Sequence, residues 1–129
     1  MNAKQFRTPL KRARGLGSAK TGTGHFLWQR ITAIVVALLG AYLIGLLLTL
    51  GGADFFRART LVSQPFNATV LAGFIVAAFW HAKLGLQVVI EDYVHDRAMH
   101  LALRILLILG SLVGVLSAIY AIARIAMTA

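Results

Sequence analysis

The sequence predicts an all-α integral membrane protein: three transmembrane helices, up-down-up, that pack with helices from partner subunits. Three observations carry this. The 129 residues are 59% hydrophobic with a mean hydropathy of +0.79, too apolar for a water-soluble domain of this size. The apolar residues fall in three stretches, about 26–50, 66–90 and 101–127, each longer than the roughly 20 residues that cross a hydrocarbon core as a helix. A span in lipid must satisfy its backbone internally, which makes three helices the economical solution. Basic residues gather at one end: residues 1–24 hold Lys4, Arg7, Lys11, Arg12, Arg14 and Lys20 and no acid.

Two regions follow, a basic cytoplasmic arm over 1–25 and a three-helix anchor domain over 26–129. The arm's charge is a positive-inside signal, which sets the N-terminus in the cytoplasm. The segment 51–65 holds only Arg57 and Arg59 against Asp54, so it reads as an outside loop. Three spans then return 91–100 to the inside and leave Ala129 outside, in the periplasm of a bacterial inner membrane. The net charge of +9 would point to nucleic acid in a soluble chain. Here no aromatic residues interleave with the basic ones, and membrane lipid is the expected surface. Zero cysteines exclude disulfides, iron–sulfur ligation by this chain and covalent c-type haem.

In order along the chain, the arm "RARGLGSAKTGTG" is glycine-rich and reads as irregular. Its "GLGSAKT" is similar to a phosphate-binding loop, but Ala19 stands where glycine is needed and no strand precedes it. The first span opens on His25, Trp28, Gln29 and Arg30, with Trp28 as an interfacial anchor. Ala33, Ala37, Ala41 and Gly45 then recur every four residues, and Gly110, Gly114 and Ala118 do the same in the third span. Such smooth ridges let helix backbones approach closely in lipid.

The second span carries the chemistry. His81 lies roughly 13 Å from the inner end of its helix, deep in hydrocarbon. A polar side chain there is costly and marks a functional site by default. Gly73, Ala77, His81 and Gly85 form one four-residue row, a face bare enough for a flat ligand. Imidazole is a common axial ligand of haem iron; it can equally hydrogen-bond a neighbouring helix, and the residues alone leave both open. His25, His95 and His100 all fall at the inner boundary, so a second axial histidine has to come from another chain. Lys83 projects away from His81 and can snorkel towards the headgroups. Arg30 can grip a carboxylate with two prongs or serve as an ordinary inside anchor. At the inner mouth, Asp92 and Tyr93 offer a proton carrier and a phenol donor that would suit a quinone arriving from lipid. The same pair also reads as a solvated helix end.

"HAKLGLQVVIEDYVHD" resembles the signature of the hydrophobic membrane anchor subunits of succinate dehydrogenase, respiratory complex II. That signature is a histidine, a glycine four residues on, and an Asp-Tyr pair eleven and twelve residues on; His81, Gly85, Asp92 and Tyr93 match it. "HFLWQRITAI" from His25 resembles the opening of the first helix in alphaproteobacterial members. The resemblance implies that His81 is one axial ligand of a haem b shared with a second membrane anchor subunit, of the cytochrome b556 type. It implies that Tyr93, supported by Asp92, binds ubiquinone, that Arg30 lies near the haem propionates, and that Gly85 and Ala77 pack at the haem face. Electrons would come from a flavoprotein subunit and an iron–sulfur subunit, so the chain is part of an oxidoreductase and not a catalyst alone. The alternatives are an anchor of another haem-b enzyme such as fumarate reductase, and a cofactor-free membrane scaffold.

Overall fold

The computed structural model describes Leu10 and residues 22–128. Four helices follow in order: α1 (Gly22–Thr49), α2 (Phe55–Ser63), α3 (Pro65–Tyr93) and α4 (Arg97–Thr128). Helices α1, α3 and α4 are long and apolar enough to cross a membrane. Large apolar side chains such as Leu38, Leu47, Phe66, Leu106 and Leu116 point outward. In water such a surface would drive aggregation; in a bilayer it faces a solvent as apolar as itself.

Each helix end has a local cause. After α1, Gly52 adopts φ 75°, a left-handed conformation that glycine takes without a Cβ clash. Asp54 then caps α2, its carboxylate accepting the Arg57 N–H at 2.8 Å. Gln64 is extended, as the residue before a proline prefers, and Pro65 begins α3 at a position where its missing N–H costs nothing. Val94 ends α3 with its N–H on the Ile90 carbonyl. Two residues on, Asp96 caps α4 by accepting the Met99 N–H at 2.8 Å.

Two sequence expectations are corrected here. The outside loop over 51–65 contains the nine-residue helix α2, because Asp54 supplies a cap that a charge count overlooks. The arm's irregular stretch stops earlier than expected, since Gly22, Thr23 and Gly24 are already helical. The rest of that stretch, "GLGSAKT" included, lies outside the described residues.

Helix α3 is the centre of the molecule. It packs along both α1 and α4, whereas the backbones of α1 and α4 do not approach each other among the described residues. On the α1 side, a Cβ added to Gly73 would lie 3.5 Å from Leu39, and one added to Gly85 would lie 3.7 Å from Gln29. The α4 side is tighter: a Cβ on Gly114 would sit 2.5 Å from Phe79, so that ring uses the space glycine leaves. The expected ridges are therefore only partly used within the chain. Gly114 meets α3, while Gly45 and Gly110 face open space.

Candidate functional site

His81 is half-buried in the seam between α1 and α3. Its Nδ1 lies 3.0 Å from Oγ1 of Thr32, a residue only 7% exposed. The Thr32 hydroxyl donates to the Trp28 carbonyl at 2.7 Å and lies 3.2 Å from that of Gln29. Nε2 of His81 makes no hydrogen bond among the described residues, and it is not among the enclosed, unpartnered atoms there, which are His25 Nε2 and Gln29 Oε1. One ring nitrogen is therefore held and the other is open.

The bare row beside His81 is partly covered. Its glycines lie beside Leu39 and Gln29 of α1. Two openings flank the seam. One is an apolar groove of about 810 Å³ between α1 and α4, with Ala77 and Gly73 on its floor, Trp28 and Trp80 beside them, and Thr32 at its edge. The two indole rings lie 5.9 Å apart. The other, of about 650 Å³, is lined by His25, Gln29, Gly85, Gln87 and Glu91. Gly85 and Ala77 thus border different openings.

The remaining sequence candidates stand apart from His81. Arg30 is exposed, its guanidinium 5.0 Å from the Phe26 ring centroid. The Lys83 ammonium sits 5.4 Å from the Trp80 ring centroid, a cation–π contact. Tyr93, the last residue of α3, is 79% exposed. Glu91 accepts from the Gln87 amide at 2.8 Å, whereas Asp92 is exposed. Two carboxylates in the last turn of a helix oppose its macrodipole, which the Gln87–Glu91 bond offsets only in part. Asp96 has a plain structural use as the α4 cap.

Sequence reasoning missed two residues that matter to this geometry. Thr32 is one hydroxyl within an apolar run, and only its partner on another helix distinguishes it. Asn67, 4% exposed, stands at the border of the second apolar stretch, where a polar residue draws no notice. In the structure it binds Tyr42, Leu61 and Gln64.

A metal-ligating histidine commonly has its other ring nitrogen hydrogen-bonded, and His81 has one nitrogen beside the Thr32 hydroxyl and the other without a bond among the described residues. The fold and site define a multi-pass helical membrane protein with one polar centre inside its middle span and a second at the end of that span. The match to known families agrees: residues 4–121 fit the family described as "Succinate dehydrogenase/Fumarate reductase transmembrane subunit". The chain belongs to this family. It is similar to the "Succinate dehydrogenase hydrophobic membrane anchor subunit" of Rickettsia bellii, with 34% identity over 91% of this chain and 94% of that one. The protein of the same description from Paracoccus denitrificans is 28% identical over 97% and 96%. The "Succinate dehydrogenase membrane anchor subunit" of Reclinomonas americana is 33% identical over 59% and 66%.

Proposed function

We propose that the chain is the hydrophobic membrane anchor of a succinate:ubiquinone oxidoreductase. In this reading His81 provides one axial ligand of a haem b, and Tyr93 with Asp92 forms part of a ubiquinone site. The anchor role follows from family membership and from the three spans, and it implies a complex with the enzyme's other subunits. The succinate direction is taken from the names of the relatives, since the family description covers fumarate reductase as well.

The observation that carries the haem reading is the one-sided bonding of His81, with Nδ1 on Thr32 and Nε2 open. When bound, haem b would supply a one-electron carrier. The chain's own part would be to present the Nε2 lone pair, with Thr32 on the adjoining apolar groove that Ala77, Trp28 and Trp80 also line. The second axial histidine would come from the other membrane anchor, of the cytochrome b556 type. Arg30, exposed and on the same helix as Thr32, would reach a propionate carboxylate. Tyr93 would donate its phenol proton to a quinone carbonyl, and Asp92 would hold or pass a proton there. That end of α3 would face the cytoplasm, where the iron–sulfur and flavoprotein subunits dock, in a bacterial inner membrane.

The test is a reduced-minus-oxidised spectrum of the complex purified in mild detergent through this chain, with and without His81→Ala. A b-type spectrum that the variant loses or shifts, with succinate oxidation by a soluble dye intact, is the expected result. An unchanged spectrum removes the ligand assignment. The Thr32–His81 bond favours one second reading, in which the histidine only clasps two helices of a cofactor-free scaffold. Under that reading the purified complex has no haem spectrum, and His81→Ala lowers only its stability.

A further inference from the structure

We infer that Thr32 is a positioning residue for His81: its hydroxyl holds the imidazole as the Nδ1–H tautomer and leaves Nε2 as the ligand nitrogen. The inference rests on the proposed haem ligation by His81 and adds a residue to it.

The hydrogen-bond count leads there directly. A threonine hydroxyl has one proton and two lone pairs. The Trp28 carbonyl, 2.7 Å away, can only accept, and so can the Gln29 carbonyl at 3.2 Å. The shorter distance favours the proton on the Trp28 carbonyl side, and Oγ1 then turns a lone pair towards His81 Nδ1 at 3.0 Å. Two lone pairs facing at that distance would repel, so Nδ1 carries the hydrogen. A neutral imidazole has a single N–H, and Nε2 is left with its lone pair exposed. The opposite tautomer would require the hydroxyl to exchange its 2.7 Å bond to the Trp28 carbonyl for the longer 3.0 Å one to Nδ1.

The helix seam makes this contact possible. Gly73 and Gly85 flank His81 two turns and one turn away on its own row, and both let α1 side chains approach where a larger residue would push them off. Close approach brings Thr32 within reach of an imidazole 49 positions away in sequence. The small-residue row thereby also docks the acceptor that orients the histidine. An acceptor on the distal N–H also raises the basicity of the ligating nitrogen, which favours the oxidised iron and lowers its potential.

The experiment uses the whole complex purified through this chain, comparing wild type with Thr32→Val, Thr32→Ser and Thr32→Cys by haem content, redox titration of the haem and low-temperature EPR. Valine keeps the branched shape and removes the acceptor. Thr32→Val is expected to raise the haem midpoint potential, shift the low-spin EPR signal and weaken haem retention roughly 10–100-fold. Thr32→Ser, which restores the oxygen, is expected to match wild type. A Thr32→Val complex with wild-type potential and EPR signal overturns the inference, because a purely structural role would move neither. Should Thr32→Val fail to assemble, Thr32→Cys decides: its weaker acceptor gives an intermediate potential if the inference holds and a wild-type one if it does not. A wild-type spectrum in His81→Ala would instead overturn the haem ligation itself, which separates the two failures.

Discussion

Tyr42 donates a 2.6 Å hydrogen bond to Oδ1 of Asn67, and through it α1 is tied to the start of α3. The same asparagine donates from Nδ2 to the Leu61 carbonyl at 2.7 Å and to Gln64 Oε1 at 3.2 Å. One buried amide thus joins α1, α2 and α3 at the end of the molecule opposite the acidic cluster. The Phe66 ring lies edge-on to Tyr42, with centroids 5.5 Å apart.

Asn67→Leu is therefore expected to destabilise the complex by about 1–2 kcal/mol, since it leaves the Leu61 carbonyl and the Tyr42 hydroxyl without their partner. Tyr42→Phe removes one bond, for which the membrane average is about 0.6 kcal/mol. Thermal unfolding of the detergent-solubilised complex should rank wild type above Tyr42→Phe and Tyr42→Phe above Asn67→Leu. Equal midpoints for all three would show that the amide does not hold these helices.

Tyr93 tests the quinone site. It lies twelve residues past His81 on one unbroken helix, roughly 18 Å along the axis. Tyr93→Phe keeps the ring and deletes the donor. Loss of that bond is expected to lower ubiquinone reduction by roughly one to two orders of magnitude in kcat/KM, with dye reduction and haem content unchanged. Asp92→Asn, which retains polarity and cannot carry a proton, should give a smaller loss. Wild-type quinone reduction by Tyr93→Phe would return the Glu91–Tyr93 end to a solvated helix terminus.

Orientation is the third test. Six basic residues over 1–24, with no acid, stand against Arg57, Arg59 and Asp54 in the next segment between spans, which predicts the N-terminus inside. Three spans then carry the C-terminus across. A reporter fused after Ala129 should be active only when periplasmic, and a cytoplasmic reading would reverse every inside and outside assignment.

Three spans in an up-down-up order were determined by the sequence alone, because hydrocarbon thickness and backbone satisfaction leave an apolar run of this length one solution. His81 was legible as a candidate too, since a histidine at that depth stands out in an apolar span. So was the Asp92–Tyr93 pair, by its spacing from that histidine. Helix α2 was not legible, because a short segment with two arginines and an aspartate reads as loop unless the Asp54 cap is weighed. The tertiary structure decided what the small residues do: which glycine faces a neighbour depends on helix rotation, and a four-residue repeat does not specify that. It placed Gly114 under Phe79 and left Gly110 open. It also supplied the partner of His81: Thr32 comes from a different helix, and helix packing alone brings the two together, so no local pattern around the histidine could reveal it.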